Sequence, residues 1–144
     1  MGQMSTAGKL KSETGEPAPR LRYPIGKKNP NLPFYPAVRA GDFVFVSGQV
    51  AKDAEGNMIA GTIEVETQAT IDSIRRILAE DGVSLADVVR VTTYLQDTRD
   101  FGRYNKVFAA NFTEAGLART TVEARAVIAT KIEMDAIAYS PRKA

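Results

Sequence analysis

The sequence predicts an α+β fold in which one mixed β-sheet carries two helices on the same face. Two observations lead to this prediction. Segments rich in β-branched residues mark strands and segments with helical spacing mark helices, in the order hairpin, helix, strand, helix and two strands. In addition, 144 residues with 44% hydrophobic and 25% charged content are typical of a single domain with its own core.

The chain begins with a tail that leads into a hairpin. Residues 1–20 are polar and broken by prolines, which predicts a disordered or loosely attached tail, and we expect the domain to span residues 21–144. A Pro-rich, extended approach leads to Ala37–Arg39, which we expect to pair with the next strand. That strand, Phe43–Ser47, is apolar, aromatic and β-branched, so we predict that it is buried.

Two amphipathic helices are predicted from apolar residues at helical spacing. The first spans Ile63–Glu80. The second spans about residues 100–113, with Asp97 or Thr98 as its cap. Its aromatic residues recur on one face and are expected in the core rather than in a cofactor site: Phe101, Tyr104, Phe108 and Phe112.

The remaining elements complete the sheet. Residues Ser84–Asp87 fit a capping box for a short helical turn. Val89–Gln96 alternates apolar and polar residues and predicts a half-buried strand. Two closing strands are expected at Thr120–Val127 and Ile132–Tyr139. Because both helices lie on one face, the other face is left bare, and we expect the domain to oligomerise through it.

The chain contains no histidine and no cysteine, which removes most enzyme chemistries. Ser-His-Asp and Cys-His machinery is excluded, and so is a zinc site built from His and Cys. Any catalyst in this chain must work with carboxylates, Arg, Lys, Ser, Tyr and backbone groups.

The charge distribution argues against a nucleic-acid partner. Residues 1–30 hold six Lys/Arg and two Glu, whereas residues 31–144 hold 13 Lys/Arg and 15 Asp/Glu. The body is therefore slightly acidic and offers no broad phosphate-binding face. The sequence shows neither a signal peptide nor a membrane span, so we expect the cytoplasm and no membrane partner.

Two positions in the closing strands are candidates for chemistry. Arg119 lies at the mouth of a strand, and a guanidinium binds a carboxylate through two parallel hydrogen bonds. It could equally be an ordinary surface Arg. Strand alternation places Glu133 and Asp135 on one side, where they could do general acid–base work or simply form a solvated face.

Weaker signals come from four other residues. Ser47 and Gly48 end the predicted buried strand, where a glycine permits a ligand to approach the backbone or only marks the strand exit. Phe34 could line an apolar pocket or make an ordinary core contact. Asn105 lies on the second helix and by itself indicates nothing.

Taken in order along the chain, several motifs resemble the Rid family of reactive-intermediate deaminases, also called the YjgF family. The resemblance covers residues from about Pro33 to Tyr139. It rests on Ala40–Gln49, Leu85–Thr92, Asp100–Phe101 with Asn105, Ala118–Arg119 and Ile132–Ala138.

The resemblance implies a chorismate-mutase-like (YjgF-like) fold and a homotrimer with clefts between subunits. It implies hydrolysis of reactive 2-imino acids or enamines to 2-oxo acids and ammonia, with no cofactor and no metal. Arg119 would bind the substrate carboxylate, and Glu133 would position or activate water. The further residues expected to bind substrate are Phe34, Ser47, Gly48, Asn105 and Thr121.

The sequence departs from the common family pattern at several positions. Phe34 stands where many members have Tyr, Leu117 replaces a usual Pro, and Thr121 stands where Cys is frequent. These changes leave three alternatives beside the general deaminase. They are a catabolic deaminase of the aminoacrylate or 2-aminomuconate type, a non-catalytic protein that senses a small carboxylate, and an RNA-acting protein, which the acidic body argues against.

Overall fold

A computed structural model of the chain describes residues 21–114 and 116–142. The predicted tail, residues 1–20, lies outside the described residues. In the described part the helices are α1 (Ile63–Ala79) and α2 (Phe101–Asn111). The strands are β1 (Arg22–Ile25), β2 (Ala37–Ala40), β3 (Phe43–Val50), β4 (Val88–Leu95), β5 (Ala118–Glu123) and β6 (Ile132–Tyr139).

All six strands form one sheet in the order β1-β2-β3-β6-β4-β5. Only β4 and β5 are parallel, because helix α2 carries the chain back between them, and the other neighbouring strands are antiparallel. Helix α1 packs against β3 and β6 and also against α2. The predicted mixed sheet with two helices on one face is therefore confirmed.

Strand β1 was not predicted. It pairs antiparallel with β2 at the edge of the sheet. Its four residues include Pro24, which masks the strand pattern in the sequence but is tolerated where no outer neighbour needs the missing N–H.

Some predicted boundaries of the strands and helices are wrong. Strand β5 ends at Glu123 and not at Val127, because β4 offers no residue beyond its partner Leu95. Strand β3 continues past Ser47 through a register shift to Val50. Helix α1 ends at Ala79, with Glu80 as its C-cap.

The caps are partly as predicted. The capping box of Ser84 and Asp87 is present. The side chain of Asp97 caps a 3-10 turn at Thr98–Asp100 and not the helix itself, because α2 begins only after this turn.

Within a single chain, the two faces of the sheet differ in how far their side chains are exposed. Val44 and Val46 of β3 are buried beneath the helices, whereas Phe43 and Phe45 between them are 40% and 46% exposed. The ring of Phe43 lies 5.3 Å from that of Tyr139 on the same open face. Strand β3 is thus half-buried, which corrects the prediction of a buried strand, and oligomerisation through this face stays a prediction.

The aromatic residues of α2 form a core stripe as predicted, apart from the first. Tyr104, Phe108 and Phe112 are buried. Phe101 is 43% exposed, because it begins the helix and stands beside Arg119 at the edge of the sheet.

A buried ion pair ties the edge of the sheet to the end of α1. Arg39 is 1% exposed, and its Nε atom donates to Asp81 Oδ2 at 2.6 Å. Its Nη1 atom also donates to the carbonyls of Gly41 and Ser140 at 3.0 and 2.9 Å. Tyr23 donates to the other Asp81 oxygen at 2.7 Å. Both buried charges thus have partners that offset their desolvation.

Within the described residues, neither helix is both long and apolar enough to cross a lipid bilayer.

Candidate functional site

Arg119 lies against the aromatic stripe of α2. Its guanidinium carbon is 4.7 Å from the ring centre of Phe108, 5.0 Å from that of Tyr104 and 5.7 Å from that of Phe101. Among the described residues it makes no ion pair and no side-chain hydrogen bond. Stacked on three rings, the guanidinium is held in place and keeps its donors for an anion.

Two further predicted site residues lie on the same side of the sheet. Asn105 follows Phe101 by four residues and precedes Phe108 by three, so the three share one face of α2. The Oδ1 atom of Asn105 and the Oγ1 atom of Thr121 are buried with no hydrogen-bond partner in the described part of the chain. Such atoms are rare in folded proteins, and a ligand or a neighbouring subunit would satisfy them.

Gly48 occupies a β-bulge in β3. The register between β3 and β6 shifts between Val46 and Gln49, so that Ser47 and Gly48 oppose a single residue of β6. A Cβ atom at Gly48 would lie 2.3 Å from Glu133 Oε2. Only glycine therefore permits the carboxylate of Glu133 to lie directly against the backbone of β3.

A cavity of about 940 Å³ opens at this bulge. Four of the predicted site residues line it: Phe34, Ser47, Gly48 and Glu133. The Ser47 hydroxyl donates to the carbonyl of Tyr35 at 2.7 Å, which holds the loop that carries Phe34 against the strand. Phe34 is 51% exposed, so it forms a cavity wall and not a core contact.

The electrostatics of this cavity favour a proton acceptor. Burial raises the pKa of Glu133 above its usual 4.5, and the nearby charge of Asp135 raises it further. Burial likewise raises the pKa of Asp135, although a hydrogen bond from Tyr94 at 3.4 Å and the charge of Arg90 oppose the shift. A carboxylate whose pKa lies nearer to neutrality is a better general base.

Within one chain, Arg119 and Glu133 cannot meet on one small molecule. Arg119 pairs with the buried Val91 of β4, whereas Glu133 pairs with Tyr94, whose side chain points to the other face. The two Cα atoms are also separated by roughly 10 Å across the sheet and roughly 10 Å along it. The predicted site residues therefore form two groups: Arg119, Asn105 and Thr121, and Phe34, Ser47, Gly48 and Glu133.

Other residues of the cavity were not predicted from the sequence. Lys27, Lys52, Arg76 and Ile128 line it together with the predicted group. They come from the first loop, the segment after β3, helix α1 and the loop before β6. No local sequence pattern marks them, because the fold alone brings these segments together. In residues 21–114 and 116–142 no group of three acidic residues is placed to hold a metal ion.

The fold and the site define a class of protein. The family model described as Endoribonuclease L-PSP matches residues 26–140. The chain therefore belongs to this family, the YjgF/RutC/Rid family, and the resemblance found in the sequence is confirmed. A RutC family protein of Pyrococcus abyssi is 43% identical over 126 residues, which cover 86% of this chain and 92% of that protein.

Individually named members of the same family are also similar to this chain. A Salmonella typhimurium protein named 2-iminobutanoate/2-iminopropanoate deaminase is 31% identical over 110 residues, or 74% of this chain and 86% of that one. The crystal structure of RidA from the Antarctic bacterium Psychrobacter sp. PAMC 21119 has a TM-score of 0.75 at 29% identity. The match covers 81% of this chain and 98% of that chain. The crystal structure of yeast Mmf1 has a TM-score of 0.77 at 26% identity, and the match covers 83% of this chain and 98% of that chain. The YjgF-like fold is thus confirmed.

Proposed function

We propose that the chain is a cofactor-independent deaminase that hydrolyses reactive 2-imino acids or enamines to 2-oxo acids and ammonia. The observation that carries the proposal is the carboxylate of Glu133, which lies against Gly48 in a cavity and has a raised pKa. The family and the relative named as a 2-iminobutanoate/2-iminopropanoate deaminase support the same chemistry.

The chemistry needs an anchor and a water. Arg119 binds the carboxylate of the substrate through two hydrogen bonds and fixes the C=N carbon. Glu133 accepts a proton from a water molecule, whose oxygen forms a bond to the carbon of the protonated imine. Glu133 returns that proton to the nitrogen of the resulting carbinolamine and then accepts the proton of its hydroxyl group. The C–N bond breaks, the carbonyl forms, and ammonia leaves and takes up this last proton as ammonium.

The catalytic cleft lies between two copies of the chain. One subunit supplies Arg119, Asn105 and Thr121, and its neighbour supplies Phe34, Ser47, Gly48 and Glu133. Two observations support this arrangement. The side chains of Arg119 and Glu133 project from opposite faces of one sheet, and an aromatic face of the sheet is exposed. A closed ring of three subunits repeats such a contact three times.

Ammonia release from 2-iminobutanoate tests the function, with Gly48→Ala as the informative variant. We expect activity in the wild type and a loss of about 100-fold in Gly48→Ala, because the new methyl group displaces the Glu133 carboxylate. Gly48 has no positive φ, so alanine fits the backbone and the variant should fold. Wild-type protein that releases no ammonia from any imine or enamine tested would overturn the proposal.

Two other functions remain as alternatives for the same site. A non-catalytic protein that binds a small carboxylate would use Arg119 equally well, and it would bind 2-oxo acids without releasing ammonia. RNA cleavage is favoured by the description of the family as Endoribonuclease L-PSP. It predicts RNA affinity that survives removal of residues 1–28, whereas the deaminase predicts none.

The raised pKa of Glu133 makes a prediction about pH. The base is active when deprotonated, so kcat/KM should fall as pH decreases through a pKa above the usual 4.5 of a glutamate. In Asp135→Asn the repelling charge is gone, and the acid limb should move to lower pH. The measurement is the pH profile of kcat/KM. If the acid limb of the Asp135→Asn profile stayed in place or moved to higher pH, Glu133 would not be the base.

A further inference from the structure

The cavity beside Glu133 contains a cluster of cationic side chains that the proposed chemistry does not use. Lys27, Lys52 and Arg76 all line it. In the described part of the chain none of the three lies within 4 Å of a carboxylate. Cations without such partners in a cavity attract an anion from solution.

Arg76 and Lys52 are fixed next to each other. The Nη2 atom of Arg76 donates to the carbonyl of Lys52 at 3.1 Å and to the hydroxyl of Ser73 at 3.2 Å. Ser73 is buried. These contacts hold the guanidinium of Arg76 against the backbone of Lys52, and the part of the cavity that these two residues line is its cationic end.

This cationic end lies close to the proposed reacting position. Val50 pairs with Glu133 across the sheet, and Lys52 follows Val50 by two residues through a bend, which places their Cα atoms within roughly 7 Å of each other. Phe34 and Ile128 contribute apolar surface to the same cavity. A short carbon chain could therefore reach from Glu133 to the cations over an apolar wall.

Within the described residues, the acids in the cavity wall make no ion pair with Lys52 or Arg76. Asp53 accepts backbone hydrogen bonds from Glu55 and Asn57 and a side-chain hydrogen bond from Asn57, so its carboxylate is engaged in its own turn. Glu80 follows Arg76 by one turn of α1, but its carboxylate lies beside Gly26 and, among the described residues, makes no ion pair with Arg76. Glu133 is the remaining acid and belongs to the reacting position.

We propose that Lys52 and Arg76 bind a second carboxylate and that the chain prefers 2-imino or 2-enamino dicarboxylates. The inference rests on the proposed function for the reacting end of the substrate. The first carboxylate binds Arg119 of the neighbouring subunit, the C=N carbon lies at Glu133, and the distal carboxylate binds the two cations. Lys27 adds positive potential at the cavity wall.

The test compares two product-like ligands of equal length by calorimetry. 2-Oxoglutarate and 2-oxopentanoate have five carbons each and differ in the distal carboxylate. We expect the wild type to bind 2-oxoglutarate at least about tenfold more tightly. Lys52→Gln and Arg76→Gln should each lose most of this preference, while the Kd for 2-oxopentanoate stays within twofold.

Arg75→Gln is the matched control. Arg75 is the neighbour of Arg76 on α1 and carries the same charge, but its side chain contacts Asp72 and Asn111 and does not line the cavity. It should keep the wild-type preference. Equal losses in all three variants would reduce the effect to net charge and overturn the inference. A wild type without preference, or without binding of 2-oxoglutarate, would overturn it as well.

Ammonia release separates this inference from the proposed function. Preferential binding of 2-oxoglutarate through Lys52 and Arg76, with no ammonia release from any imine, would leave the anion subsite standing and remove the deaminase. Ammonia release with equal kcat/KM for 2-iminoglutarate and 2-iminopentanoate would support the deaminase and overturn the second carboxylate site. Both imines can be formed in place from glutamate and norvaline by an amino-acid oxidase.

Discussion

Co-expression of Arg119→Ala and Glu133→Gln subunits should restore deaminase activity that neither variant has alone. Loss of two charge-assisted hydrogen bonds in Arg119→Ala costs roughly 3–6 kcal/mol, or two to four orders of magnitude in kcat/KM. Glu133→Gln removes the proton acceptor. In the proposed trimer, a mixed assembly has one cleft that combines an intact Arg119 with an intact Glu133. Random assembly of equal amounts predicts about a quarter of the wild-type activity.

The control for this experiment is co-expression of Arg119→Ala with the double variant Arg119→Ala/Glu133→Gln. Every cleft then lacks Arg119, and no activity should return. Differently tagged subunits would show by mass spectrometry that mixed oligomers have formed. Mixed oligomers without activity would contradict a cleft shared between subunits. Full activity of Arg119→Ala alone would remove this residue from the site.

Arg39→Met should cause the largest loss of stability among single substitutions of charged residues. It leaves the buried carboxylate of Asp81 with only Tyr23 and the half-exposed Arg142 as partners, which costs up to about 3 kcal/mol. For a chain of this size the melting temperature should fall by roughly 10 °C. Thermal unfolding followed by circular dichroism measures the change.

Arg99→Met serves as the comparison, since Arg99 also pairs with an aspartate but is 87% exposed. Solvent screens an exposed pair, so this substitution should change the stability little. The double variant Arg39→Met/Asp81→Leu should recover part of the loss, because it also removes the buried carboxylate that has lost Arg39. If Arg39→Met were no less stable than Arg99→Met, the buried pair would have no structural importance.

The pH dependence of the same pair follows from its pKa. Burial by itself would raise the pKa of Asp81, but the hydrogen bonds from Arg39 and Tyr23 outweigh it and hold the pKa below 3.8. The contribution of the pair to stability is therefore present above the unfolded value and is lost as pH falls through the folded pKa.

Much of the fold could be predicted from local pattern. The alternation in Ile132–Tyr139 predicts which side chains are buried, and the structure confirms it for Ile132, Met134 and Ala136. Helix α1 was predicted to within one residue, because its apolar stripe is long and regular. Strand β1 was missed, since an edge strand of four residues with a proline has no pattern of its own.

The sequence by itself determined the secondary-structure order, the exclusion of His and Cys chemistry, the resemblance to a family and the candidate residues Arg119 and Glu133. Only the tertiary structure decided that these two side chains project from opposite faces of the sheet, that a bulge places Gly48 against Glu133, and that Lys52 and Arg76 line the same cavity. The physical reason is that periodicity reports which face of its own strand or helix a residue occupies. Strand order, register and the segments that enclose a cavity depend on pairing between distant parts of the chain.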